Sequence, residues 1–99
     1  MTLTQDQAET LLAAATAHAE TLGVPVNIAL LDDAAHLKAF VRMDGAVLGS
    51  IDVALGKART SALFRISSAA VWDYCQPGPP APDLQASNGG LIAFPGALP

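Results

Sequence analysis

Apolar residues near the start of the chain recur at helical spacing, at Leu11, Leu12, Ala15, Ala19 and Leu22, and the run stops at Gly23. Thr4 followed three residues later by Gln7 forms a capping-box pattern, so the spacing predicts one amphipathic helix between Thr4 and Gly23. Its many alanines give it high intrinsic propensity and a slim profile, suited to close packing on a sheet or a second helix. Pro25 prevents its continuation.

The period then changes. Val26–Leu31 is a short apolar run bounded by turn-formers, and Leu37–Arg42 offers a second extended stretch. Between them, Asp32–His36 has the length of a tight connection whose aspartates bond their own following amides. A β-hairpin follows from this, closed by Asp44 and Gly45. A second helix is expected to begin near Val47 or Ser50 and to run to about Phe64. Ile51, Ala54, Leu55, Ala58, Ala62 and Leu63 fall on one stripe of it. A shorter helix is expected around Ser67–Tyr74. The segment Gln76–Pro82 holds four of the seven prolines and reads as a surface loop or lid. Leu91–Phe94 reads as a brief strand, and Pro95–Pro99 as a turn.

Composition sharpens this picture. Apolar residues make up 52% of the 99 and charged residues only 14%, more apolar than a small monomer that must coat itself with polar groups. A partner chain is therefore expected. The net charge is −4 with five basic residues, Lys38, Arg42, Lys57, Arg59 and Arg65, so no basic stripe exists to neutralise a phosphate backbone, and nucleic acid is excluded as a partner. Cys75 is the only cysteine, which excludes an intrachain disulfide and a cysteine zinc cluster and fits a reducing compartment. The N-terminal residues lack the basic start of a signal peptide, and no apolar run reaches the ~18 residues needed to span a bilayer. The expected location is the cytoplasm, away from membranes.

Three blocks together carry a resemblance: Gly23–Asp32 (GVPVNIALLD), His36–Ala46 (HLKAFVRMDGA) and Ser50–Thr60 (SIDVALGKART). The chain resembles the GlcG/HbpS-like, or haem-degrading domain, family, whose members also occur fused to the PduO type of cobalamin adenosyltransferase. The similarity extends over essentially the whole chain. It implies a profilin-like α/β (α+β) fold, an antiparallel sheet flanked by helices in three layers and assembled into oligomers. It also implies a small-molecule ligand, with haem as a possible cofactor, at a pocket between subunits. The alternative is a small biosynthetic or catabolic enzyme subunit acting on a carboxylate substrate.

Two departures from the family are expected to matter. Ala35 stands where the family usually has glycine before the residue matching His36, which suggests a different turn geometry. The family domain continues past the stretch matching Gly96–Pro99 into further strands and a closing helix. Residues 1–99 therefore read as a single domain lacking those elements. The expectation is that a second chain completes the sheet, in a homo- or hetero-oligomer, or that the chain was cleaved; a shortened gene is the alternative.

The resemblance places Arg42, Asp44 and Lys57 near the interface pocket. Guanidinium and ammonium groups there would clamp carboxylates of a small acid or of haem, with Arg favoured for bidentate geometry. In the enzyme alternative Arg42 or Lys57 anchors a carboxylate substrate and a carboxylate such as Asp44 moves a proton, with Asp44 and Lys57 as the catalytic candidates. A structural pairing of Arg42 with Asp44 at the strand–helix corner competes with that reading. His36, at the hairpin tip, is the candidate iron ligand, against the plainer reading of an exposed turn residue. His18, mid-helix among alanines, carries no ligand role, and no His-x-x-x-His or Glu-x-x-His spacing encodes a closed metal site. Asp32 and Asp33 read as turn-formers, Cys75 as an inert thiol, and Trp72 and Tyr74 as core or interface residues.

Overall fold

The computed structural model describes residues 2–99. Helix α1 (Gln5–Leu22) starts where the capping box places it: Thr4 Oγ1 accepts from the Gln7 amide, and the Gln7 side chain accepts from the Thr4 amide. Gly23 ends it in the left-handed conformation, φ 70°, with its amide and that of Val24 returned to the last turn. The hairpin follows as β1 (Asn27–Leu31) and β2 (Leu37–Arg42), paired antiparallel. Then come α2 (Gly49–Phe64), α3 (Ser68–Cys75, capped by Ser67 Oγ on the Ala70 amide) and a 3-10 turn at Leu84–Ala86. The fold is mixed α+β. Among the described residues no helix is long and apolar enough to cross a membrane.

The two long helices cover opposite faces of the hairpin, because side chains alternate along a strand. Asn27 points toward α2, where its Nδ2 donates to Ser50 Oγ at 2.5 Å. Ile28 therefore points to the other face. Its cross-strand partner Val41 lies beside Leu12, Ala13 and Thr16 of α1. Small buried residues on both helices, Ala8 and Ala19 of α1 and Ser61 of α2 among them, let the layers approach closely. The densest packing lies elsewhere, where Val71, Cys75 and Ala93 meet Phe64, Ile66 and Leu84. The sheet itself remains only half covered, with every residue of β1 partly exposed.

The turn between the strands keeps the geometry that its alanine was expected to alter. Ala35 adopts φ 64°, the left-handed region, despite its Cβ. Asp32 enforces this: its Oδ1 accepts from the amides of Ala34 and His36, both at 2.9 Å, and its own amide donates to the His36 carbonyl. Gly45, at φ 85°, makes the second turn and packs near Pro25.

Leu91–Phe94 is not a strand. Among the described residues no neighbouring strand pairs with it, and the segment is instead held irregularly against α2, where Thr60 Oγ1 donates to the carbonyl of Ile92 at 3.0 Å. Gly56 allows this approach, since a Cβ there would collide with Ile92. The following turn is fastened to α3 reciprocally: the Ser68 amide donates to the Ala97 carbonyl, and the Ala97 amide donates to Ser68 Oγ, each at 3.0 Å. Ser68 is fully buried as a result.

Candidate functional site

The antiparallel register sets Arg42 directly across from Asn27 at one end of the hairpin. Arg42, the last residue of β2, is exposed, and so is Asp44 in the turn that follows. Among the described residues the one ion pair is between His36 and Asp32, at 3.9 Å, so Arg42 and Asp44 are not paired with each other. Beyond them Val47 and Leu48 are 72% and 68% exposed. Large apolar side chains beside a free guanidinium and a carboxylate make this corner a partly apolar, charge-bearing surface.

Val47 also lines the mouth of a cleft of about 680 Å³ between β1 and α2. Lys57 reaches into that cleft from the middle of α2. Its Nζ donates to the Pro95 carbonyl at 3.2 Å and lies 4.9 Å from the centre of the Phe94 ring, so carbonyl and ring together orient the ammonium. A contiguous cleft of about 610 Å³ continues along β1 to Asp32 and Asp33, bordered by Leu11 of α1 and by Ala58, Ser61 and Ala62 of α2. Both volumes fall in the range of small-molecule pockets, roughly 300–1,000 Å³.

Of the residues selected from sequence, Arg42 and Asp44 stand at one end of the hairpin and Lys57 lines the cleft beside β1, whereas His36 lies at the other end. It sits at the opposite tip, 80% exposed, with its imidazole turned to Asp32. Six residue steps separate it from Arg42, roughly 20 Å of extended chain. His18 is exposed on α1. No cluster of three or more His, Cys, Asp or Glu side chains able to hold a metal ion occurs among the described residues.

Asp32 is held below its ordinary carboxylate pKa, chiefly by the hydrogen bond from the His36 amide, with partial burial opposing and the Ala34 amide, His36 and Lys38 assisting. It is a turn-former, as its place in sequence suggested. Cys75 is buried, which suits an inert thiol. Trp72 and Tyr74 stand 44% and 47% exposed on α3 and are not core residues.

Sequence reasoning missed two polar atoms. Asn27 Oδ1 and Ser61 Oγ are both buried without a hydrogen-bond partner, and both side chains line the clefts along β1. An asparagine inside an apolar strand was the one available signal for the first. A serine in a helix gave none for the second.

A half-covered antiparallel hairpin between two helices, with a lysine-bearing cleft along β1 and an exposed apolar corner, makes this a small α+β domain. The chain belongs to the family described as haem degrading protein HbpS-like, whose model matches residues 3–99. It is 32% identical, over 99 residues, to an uncharacterised 15.0 kDa protein from the dhaT–dhaS intergenic region of Citrobacter freundii, covering 99% of this chain and 70% of that one. Among solved structures it is similar to Klebsiella pneumoniae protein ORFY, with a TM-score of 0.95 and 29% identity, covering 100% of this chain and 69% of that one. It is also similar to PduOC in complex with haem, with a TM-score of 0.90 and 28% identity, covering 97% of this chain and 70% of that one.

Proposed function

We propose that the chain is a small-molecule binding subunit that holds an anionic, partly apolar ligand at the corner where β2 leads into α2. Arg42 clamps a carboxylate of the ligand, Val47 and Leu48 cover its apolar body, and Lys57 supplies a second positive charge from the cleft mouth. Asp44 orients the Arg42 side chain or a polar edge of the ligand. The observation that carries this reading is the exposure of Val47 and Leu48 immediately beyond two unpaired charged groups. A second subunit closes the corner, since an apolar patch left open to water is unfavourable.

Haem is the first ligand to test. It has two carboxylates and a large apolar body, which suit Arg42 and the Val47–Leu48 surface, and the relative PduOC is seen with haem.

Titration with haemin, followed in the Soret band, tests the proposal. Saturable binding is expected, weakened about tenfold or more in Arg42→Ala. The fold of that variant should be intact, because the residue is exposed. Absence of any spectral change would remove haem. Calorimetry with small carboxylic acids would then decide whether Arg42 binds another anion, and equal affinity of parent and Arg42→Ala for every ligand tried would overturn the site.

A further inference from the structure

Between Leu84 and Leu91 the chain reverses through an asparagine followed by a glycine. Asn88 and Gly89 both take positive φ, 53° and 74°, and the Gly90 amide donates to the Ser87 carbonyl at 2.9 Å. This is a type I′ turn, in which asparagine tolerates the left-handed first position and glycine the second. The residues on either side turn inward. Leu84 packs on the core of Val71, Cys75 and Ala93, and Leu91 is buried, with its amide donating to the Gln85 carbonyl at 2.8 Å. The turn thus sets the spacing at which the two leucines enter the interior.

Asn88, Gly89 and Gly90 are themselves exposed. Among the described residues nothing accepts a hydrogen bond from the Gly89 amide, and beyond its chain neighbours no atom lies within 4 Å of where a side chain on Gly89 would begin. The Asn88 carboxamide is held by one contact, from its Nδ2 to Ser87 Oγ at 3.0 Å, and water competes for so exposed a bond. A nucleophile and an electrophile in adjacent residues are therefore both accessible. The chain's other asparagine has neither advantage: Asn27 precedes the branched Ile28 inside β1, and its Nδ2 is bonded to Ser50.

We propose that Asn88 is a site of spontaneous deamidation whose isoaspartyl product unseats Leu91. The Gly89 amide nitrogen, deprotonated by hydroxide, attacks Asn88 Cγ. The Cγ–Nδ2 bond breaks, ammonia leaves with a proton from water, and a five-membered succinimide closes. Water then opens the ring. Addition at Cγ gives aspartate with the ordinary backbone, whereas addition at the main-chain carbonyl carbon of residue 88 leaves Gly89 bonded through Cγ, as isoaspartate. One water is consumed, one ammonia is released, and nothing is oxidised or reduced. Either product adds a negative charge to a chain whose net charge is −4. Isoaspartate also adds one atom to the main chain inside the turn. The Gly90–Ser87 bond and the Leu91–Gln85 bond beside it then lose their geometry, and the change reaches the core. The inference rests on this turn alone and holds whatever the ligand at Arg42.

The test incubates the full chain in heavy-oxygen water at several mildly alkaline pH values, with a second sample unfolded in urea. Digests are read by mass spectrometry with fragmentation that separates aspartate from isoaspartate. Heavy oxygen should enter at Asn88 and not at Asn27, at a rate rising about tenfold per pH unit, since the amide anion is scarce far below its pKa. The folded rate should lie within about tenfold of the unfolded one, because nothing in the turn occupies the Gly89 amide. In the purified isoaspartyl fraction the Leu91 amide should exchange about tenfold faster than in the parent. Asn88→Asp carries the charge without the extra backbone atom and should exchange like the parent. A folded rate more than about tenfold below the unfolded one, or conversion at Asn27 equal to that at Asn88, would overturn the site. Unchanged Leu91 exchange in the isoaspartyl fraction, or equal acceleration in Asn88→Asp, would overturn the link to the core.

Discussion

Asn27 and Arg42 face each other across the hairpin, and from that shared register position they serve different surfaces. Asn27 turns to α2, giving its Nδ2 to Ser50 and leaving its Oδ1 buried without a donor. Arg42 stays in solvent at the start of the apolar corner. The pair thus marks where the cleft along β1 adjoins the exposed corner at the end of β2. Exposed Arg42 carries little of the stability, so Arg42→Ala should move it by no more than about 0.5 kcal/mol in urea denaturation. A much larger loss would identify Arg42 as structural.

Ala35 holds a left-handed backbone that costs an L-residue roughly 1–2 kcal/mol, and a glycine there returns part of this through its larger unfolded-state entropy. Ala35→Gly should therefore stabilise the chain by about 0.5–1 kcal/mol, raising the thermal midpoint by a few degrees. Calorimetry reads this directly. A lowered midpoint would mean that the turn does not keep φ near 64° in solution.

The two carbonyls that share the Thr60 hydroxyl, those of Gly56 and Ile92, each lie 3.0 Å from it in a fully buried setting. Thr60→Val keeps the shape and removes the only side-chain donor to the Ile92 carbonyl among the described residues. The loss should be about 1–3 kcal/mol by chemical denaturation, with faster amide exchange in residues 91–93. An unchanged stability would show that the segment is held by packing alone.

Gly56 and Gly49 both lie in α2 and should respond oppositely to alanine. Alanine ordinarily favours a helix by about 1 kcal/mol over glycine. At Gly56 the new Cβ would collide with the branched side chain of Ile92, including its Cβ, which cannot swing aside. Overpacking of that kind costs about 1–3 kcal/mol, so Gly56→Ala should lower the thermal midpoint. At Gly49 nothing lies within 4 Å, and Gly49→Ala should leave the midpoint unchanged or raise it.

Asp32 makes the hairpin acid-sensitive. Its folded pKa lies below the ordinary value, so its contribution is fully present above the unfolded pKa of about 3.9 and is lost as pH falls below that through the folded pKa. Urea denaturation between pH 6 and pH 3 should show stability falling at the acid end, with a shallower fall in Asp32→Asn. Equal slopes for both proteins would assign the acid sensitivity to other carboxylates.

The chain's local order was legible because it depends on neighbours in sequence. Thr4 with Gln7, and Gly23 after Leu22, mark the ends of α1 through hydrogen bonds spanning three to five residues. The strands, α2 and α3 also lie within a residue or two of the periodicity that predicts them. Leu91–Phe94 has strand-like composition, but a strand exists only with a partner at its edge, and the tertiary structure gives this segment α2 instead. Likewise the residue types at positions 36, 42, 44 and 57 suggested chemistry, whereas only the folding of the hairpin separated His36 from Arg42 and brought Lys57 to Phe94 and Pro95. For α1, the hairpin, α2 and α3, sequence by itself determined which segments curl, which extend and where each stops, because those choices rest on short-range hydrogen bonds and periodic burial. Tertiary structure alone decided which polar groups meet, which are left without partners, and which strand edge stays open, because each of these depends on residues distant in the chain.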